Sequence, residues 1–257
     1  MGPAGNGGVG LLASARVELV HLGSDRAGKR RLFCLPGAGG SASSFRTWPG
    51  RLSPDIEVIG VQLPGRGHLV AQPPYRALQP LVVDLARAMS GMLDKPFMLF
   101  GHSMGALLGF ELARWLRRAY GVAPLVLFAA ACPAPQLPRR QKLLHALPST
   151  QLWSEIYRLG GTPDQVLASD DLRALVEPAL RADLMICETY QYVEERPLSC
   201  PVVVFAGSDD DVSVEELQGW TAQTTSSFRI AMFPGGHFLA SSELPRLLEE
   251  IEREATR

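Results

Sequence analysis

Three short segments carry residue types suited to nucleophilic chemistry. Gly101-His102-Ser103-Met104-Gly105 is a Gly-x-Ser-x-Gly pattern, Gly207-Ser208-Asp209-Asp210-Asp211 supplies carboxylates, and Pro234-Gly235-Gly236-His237-Phe238 supplies an imidazole. A serine hydroxyl attacks a carbonyl only when a base takes its proton, and that base needs a carboxylate to hold its tautomer. Ser103 is the candidate nucleophile and His237 the candidate base. Of the other four histidines, His21 lies beside the first strand and His68 in a loop after Pro64-Gly65-Arg66-Gly67. His102 is inside the nucleophile turn, and His145 falls in a helical stretch. Only His237 follows serine and acid in the required order. Three consecutive aspartates leave the acid open: Asp210 is the expected orienter of His237, with Asp209 second, and the remainder suit a solvated turn.

These residues act only if the chain lifts them to one place. Apolar or β-branched runs bounded by turn residues recur at 16–20, 31–35, 56–63, 97–100, 124–131, 201–206 and 228–233, several of them continuously apolar as doubly covered strands are. Helical patterns at 78–93 and 104–119 lie between them, so the fold class is α/β with a largely parallel sheet. Ser103 then stands between the strand 97–100 and the helix 104–119, with the helix N-terminus behind it to favour developing negative charge. The strand 31–35 runs into Pro36-Gly37-Ala38-Gly39-Gly40-Ser41. This loop lacks the Gly-Lys-Ser/Thr ending of a phosphate cradle, and it stands where a backbone N–H completes an oxyanion hole. The backbone N–H groups of Ala38 and Met104 are the expected pair. The acid and the base each follow a late strand, which makes them neighbours in space.

Between Cys132 and Pro197 the strand pattern stops, and an inserted helical cap over about 133–197 is expected. Residues 1–15, rich in Gly and Ala without periodicity, read as a flexible leader, and 16–257 as the folded domain. At 257 residues, 46% hydrophobic and 20% charged, the chain is long enough to bury a core without disulfide or metal. Twenty-five Lys and Arg against 26 Asp and Glu give a net charge of −1, which argues against nucleic acid as a partner. Cys34, Cys132, Cys187 and Cys200 are widely spaced, so neither a zinc site nor a disulfide framework is expected. No apolar run reaches the length of a membrane span, no basic segment precedes an apolar one at the N-terminus, and Asn6 stands where myristoylation wants Ser or Thr. A cytoplasmic protein away from the membrane is expected.

Taken together, six ordered blocks make the chain resemble the freestanding type II thioesterases of polyketide and nonribosomal peptide synthesis, within the α/β-hydrolases. The blocks are Pro36-Gly37-Ala38-Gly39-Gly40, Gln62-Leu63-Pro64-Gly65-Arg66, Gly101-His102-Ser103-Met104-Gly105, Leu180-Arg181-Ala182-Asp183, Cys200-Pro201 leading to Gly207-Ser208-Asp209-Asp210, and Phe233-Pro234-Gly235-Gly236-His237-Phe238. The resemblance spans about 31–248. It implies an α/β-hydrolase fold, a mostly parallel central sheet with helices on both faces and an inserted helical lid. It implies a Ser103, His237, Asp210 triad with oxyanion amides at Ala38 and Met104. The activity implied is hydrolysis of acyl groups held on the phosphopantetheine arm of an acyl or peptidyl carrier protein, as an editor of stalled or mis-primed synthases. No cofactor and no metal are implied, since the substrate carries the phosphopantetheine, and a monomer is expected. A chain-releasing thioesterase and a small-ester carboxylesterase share the fold and remain alternatives, as does an inert receptor of the same fold.

Two positions depart from the family pattern. Gly37 stands where His or Tyr is common, which bears on the oxyanion loop, and His68 where an acid is often found, which bears on the cap or entrance. Trp153, Tyr157, Leu184, Met185 and Tyr190 are expected to line the acyl pocket, and Arg139, Arg140 and Lys142 to form a basic strip for an acidic carrier.

Overall fold

A computed structural model describes residues 17–23, 28–138, 143–239 and 241–256 of the protein. The expected leader at 1–15 and the basic trio Arg139, Arg140 and Lys142 lie outside the described residues. Seven strands form one sheet: β1 (Glu18–His21), β2 (Arg30–Leu35), β3 (Ile56–Gln62), β4 (Phe97–His102), β5 (Leu127–Ala130), β6 (Val202–Gly207) and β7 (Phe228–Phe233). Their order is β1-β3-β2-β4-β5-β6-β7; β1 pairs antiparallel with β3, and every other pair is parallel. The first strand begins two residues later than the apolar pattern suggests, because its pairing starts at Glu18 opposite Gln62. The run 124–131 forms a strand over Leu127–Ala130, with Leu125, Val126 and Ala131 adding single backbone bonds at its ends.

Strand side chains alternate faces, so each apolar run feeds two cores. Phe33, Leu35, Leu99, Val202 and Val204 point to one face, under α1 (Leu78–Met89) and α2 (Met104–Tyr120). Leu32, Cys34, Met98, Phe100, Val203 and Phe205 point to the other. There they meet Phe45, Trp48 and the buried stripe Leu247, Leu248, Ile251 and Ala255 of the last helix, Leu244–Ala255. Burial on both faces is what continuous runs such as Val202–Gly207 encode. Helix α2 closes at Gly121, whose φ of 68° supplies the left-handed turn after the last helical residue.

Between β5 and β6 lie α3 (Ser149–Leu159), α4 (Asp164–Leu167) and α5 (Asp170–Glu188), with no strand among the described residues of that stretch. α5 begins at Ser169, whose side chain accepts from the Leu172 N–H. Its stripe of Ala179, Leu180, Ala182, Asp183 and Ile186 is buried. Leu180 joins Leu152, Trp153 and Ile156 of α3 in a separate small core. The short α6 (Val214–Gln218) starts with a capping box between Ser213 and Glu216, and Leu244–Ala255 becomes α7. The arrangement is an α/β-hydrolase fold. All the segments with chemical promise leave the sheet at the C-terminal ends of β2, β4, β6 and β7.

Candidate active site

Ser103 sits at the turn from β4 into α2 with φ 53° and ψ −112°, a conformation that costs an L-residue of order 1–3 kcal/mol. Its neighbours explain why the turn tolerates nothing larger than glycine. A Cβ on Gly101 would stand 2.1 Å from the Gly105 carbonyl oxygen, and a Cβ on Gly105 would stand 2.1 Å from that of Leu35 and 2.8 Å from that of Pro36. The first glycine lets the chain double back; the second lets α2 press against the end of β2. That contact brings the Pro36-Gly37-Ala38 loop beside Met104. From the other side, the Ser103 N–H donates to the Ala130 carbonyl over 2.7 Å, anchoring the turn to the end of β5.

The loops that carry Asp210 and His237 are joined in the same way. A Cβ on Gly207 would lie 2.2 Å from the carbonyl oxygens of both Gly235 and Gly236, so the ends of β6 and β7 approach backbone to backbone. The Ser208 N–H donates to Phe233 O at 2.8 Å and the Asp209 N–H to Gly235 O at 2.9 Å. His237 Nδ1 then faces the Asp210 carboxylate at 3.1 and 3.2 Å, and the Asp210 side chain is 1% exposed. Burial alone would raise this carboxyl, but the hydrogen bond and charge of His237 outweigh it and hold it below the usual carboxylate range. Asp209 is exposed beside Ser208, and Asp211 pairs with Arg158 of α3 at 2.9 Å. Three adjacent aspartates thus have three different surroundings, and the one that meets the imidazole is Asp210.

His102 adds a contact the sequence did not announce. Its Nε2–H donates to the backbone carbonyl of His237 at 2.8 Å, while its Nδ1 lies 2.8 Å from where a Cβ on residue 37 would stand. A side chain at position 37 therefore requires the imidazole to move, which is the local reason for Gly37. Burial, then the neighbouring His237, pushes the His102 imidazole down to about 4. His68, the second departure, meets Glu18 at 2.6 Å on the exposed side of β1.

Ser103, Met104, Asp210 and His237 line one cleft of about 300 Å³. Ala38 is not among its lining residues; its side chain packs between the main core and the small core around Leu180. Of the residues expected in an acyl pocket, none lines this cleft. Trp153 is buried within its own helical layer and its Nε1–H donates to Glu177 at 2.7 Å, and Leu184 packs on the same cluster. Tyr157 is 71% exposed, and the Tyr190 hydroxyl donates to Glu111 at 2.7 Å. Met185 is half-buried, its carbonyl accepting from Thr189. The apolar wall is made instead by Leu107, Pro133, Leu144, Leu159, Cys187 and Val212. Trp153 and Leu184 are drawn away because large apolar residues of a two-helix layer pack first against each other, whereas Tyr157 faces solvent and Tyr190 packs on the main core. A second hollow of about 490 Å³, lined by Arg30, Pro96, Pro201 and Ser227, lies at the opposite, N-terminal ends of the strands.

Among the described residues, no group of three or more His, Cys, Asp and Glu is placed to hold a metal ion, and no helix is long and apolar enough to cross a membrane. The family model described as Thioesterase domain matches residues 30–255. The chain is 39% identical over 231 residues to the gramicidin S biosynthesis protein GrsT of Aneurinibacillus migulanus, covering 90% of each chain. It superposes on RedJ, a thioesterase from the prodiginine pathway in Streptomyces coelicolor, with a TM-score of 0.84 at 38% identity, covering 89% of this chain and 91% of RedJ. On the type II thioesterase BorB from the borrelidin biosynthetic cluster the TM-score is 0.86 at 34% identity, covering 92% of this chain and 96% of BorB. A strained serine turn, an imidazole on a buried carboxylate and these likenesses lead to one assignment: the chain belongs to the thioesterase family, with the type II thioesterases of polyketide and nonribosomal peptide synthesis.

Proposed function

We propose that this thioester hydrolase clears acyl groups from the phosphopantetheine arm of acyl or peptidyl carrier domains, editing stalled or mis-primed synthases through Ser103, His237 and Asp210. The observation that carries the reading is the His237–Asp210 pair at 3.1 Å, lining the same cleft as Ser103 on its strained turn. His237 takes the Ser103 proton as the hydroxyl oxygen attacks the thioester carbonyl. The tetrahedral oxyanion rests on the Ala38 and Met104 N–H groups, and collapse expels the pantetheine thiol, which receives the proton from His237. Water, deprotonated by His237, then attacks the acyl-serine, releasing the free acid and restoring Ser103. Asp210 keeps its charge throughout and holds Nδ1–H toward itself, so that Nε2 is the atom available to the hydroxyl.

The reading extends to the architecture. Residues 16–257 act as one hydrolase domain, and the helices α3 to α5 within 133–197 serve as its lid. Support comes from Leu144, Leu159 and Cys187, which bring that layer to the cleft wall opposite Met104 and Leu107. Carrier domains are the expected partners, a monomer the expected state and the cytoplasm the expected location. No cofactor is needed beyond the arm that the substrate brings.

The test is a mass-spectrometric time course on carrier proteins loaded with short and long acyl groups, incubated with the parent and with Ser103→Ala. Loss of short acyl groups by the parent alone supports an editing enzyme. Preference for long chains moves the reading to chain release, and cleavage of simple esters without carrier-bound thioesters moves it to an esterase. Full hydrolysis by Ser103→Ala overturns the nucleophile.

A further inference from the structure

Two of the sequence blocks have no part in the triad, yet the fold joins them. Arg66, from the loop after β3, and Asp183, from the buried stripe of α5, form a bidentate pair: Nη1 donates to Oδ2 at 2.7 Å and Nη2 to Oδ1 at 2.9 Å. Their side chains are 6% and 2% exposed. The same Oδ2 accepts from the Gly39 N–H at 2.8 Å, and Arg66 Nη1 also reaches the Gly40 carbonyl at 3.3 Å. Gly39 has φ 73°, and Leu180, one turn before Asp183, lies against it, 3.3 Å from where its Cβ would be. Within the loop the Gly40 N–H donates to Gly37 O at 2.9 Å. From below, Gln62 Nε2 donates to the Arg66 carbonyl at 3.1 Å and holds the guanidinium's own backbone. The 38–39 peptide is thus held from α5 through Asp183, the Gly40 carbonyl is held by Arg66, and the Gly40 N–H passes that hold to the Gly37 carbonyl of the 37–38 peptide.

We infer that Arg66 and Asp183 are positioning residues for the oxyanion loop: through Gly39 they orient the Ala38 N–H, so that the loop is competent only with α5 docked. This rests on the oxyanion role given to Ala38 under the proposed function. Stability is a poor reason for such a pair. Desolvating two charges commonly offsets their attraction, and apolar replacements of both are often neutral or better. Arg66 Nε, moreover, is buried without a hydrogen-bond partner. What an apolar pair lacks is an acceptor aimed at Gly39 N–H and a donor aimed at Gly40 C=O. Backbone donors of an oxyanion hole work only when preorganised, so a small rotation of the 37–38 peptide, which carries the Ala38 N–H and whose carbonyl is held by the Gly40 N–H, lowers the rate without removing the site.

The test compares the parent with Arg66→Met/Asp183→Leu, Arg66→Leu/Asp183→Ala and Arg66→Lys, all Ser103-intact. Both double variants remove the two charges together, and so avoid a buried unpaired charge, and both remove the acceptor at 183; Arg66→Leu/Asp183→Ala serves if the first does not fold. The inference expects a double variant that melts as a folded protein, with kcat lowered about 10- to 100-fold and KM within about threefold. Affinity for a trifluoromethyl ketone thioether, which forms a tetrahedral oxyanion on serine, falls by the same factor as kcat/KM. Arg66→Lys, which keeps the Asp183 acceptor but gives up the fork that reaches the Gly40 carbonyl, falls between the parent and the double variants. A folded double variant of either kind with parental kcat overturns the inference, as does a loss of kcat without matching loss of ketone affinity. Such failures leave Ser103-dependent hydrolysis in place, whereas failure of the proposed function appears as hydrolysis that survives Ser103→Ala.

Discussion

His102 Nε2 donates to the backbone carbonyl of His237 across 2.8 Å, tying the turn that holds Ser103 to the loop that carries the His237 imidazole. The bond spans two strands, since β5 and β6 lie between β4 and β7 in the sheet. It places the His102 and His237 rings edge to face at 5.2 Å, with Phe238 4.7 Å from His102. Phe238 in turn lies under Gly161, where a Cβ would clash at 2.4 Å, so the layer of α3 to α5 rests on the residue after His237. Relative placement of Ser103 and His237 is thus held by contacts around them, through His102 and Phe238, as well as by the His237–Asp210 pair.

A pH dependence follows from His102. Its folded-state pKa of about 4 lies below the ordinary 6.5, so between these values the unfolded chain binds more protons than the folded one. The contribution is fully present above about pH 6.5, is lost as pH falls toward 4, and totals at most about 3 kcal/mol. Urea denaturation at pH 7.5 and pH 5 should show the parent losing about 2 kcal/mol more than His102→Gln, whose amide keeps a donor for the His237 carbonyl. Equal losses in the two proteins would contradict the neutral, buried state of His102.

Asp210 and Asp209 should separate cleanly. Asp210→Asn leaves shape unchanged but offers an amide where His237 needs an acceptor, so kcat should fall on the order of 10⁴-fold. Asp209→Asn, at an exposed side chain, should stay within about twofold. Steady-state hydrolysis by the two purified variants decides it, and similar losses in both would remove the assignment.

The turn at Ser103 stores strain that a glycine would release. Ser103→Gly should unfold at higher denaturant than the parent, by about 1 kcal/mol, after allowance for the flexibility glycine adds to the unfolded chain. Ser103→Ala, which keeps a Cβ at φ 53°, should remain near the parent. Both should be inactive. Chemical denaturation of the three proteins measures the difference, and a Ser103→Gly no more stable than Ser103→Ala would mean that the turn is unstrained.

Much of this enzyme is written locally. Continuous apolar strands, the Gly-x-Ser-x-Gly turn and the acid and histidine beyond late strands are legible because each depends on neighbours within a few residues, where period, glycine and chain order carry the information. Tertiary structure decided the rest. Which of three aspartates meets His237 depends on the Gly207 contact with Gly235 and Gly236, about thirty residues apart in sequence. The residues lining the cleft depend on how α3 and α5 first satisfied each other, which left Trp153 in their own core and Leu144 and Leu159 on the wall. Arg66 and Asp183 were visible as motif residues, and a lone carboxylate on the apolar stripe of α5 was the signal that it had a partner. The identity of that partner, 117 positions away, follows only from where the two loops and the helix meet, because side-chain pairing at such separation is set by packing rather than by sequence period.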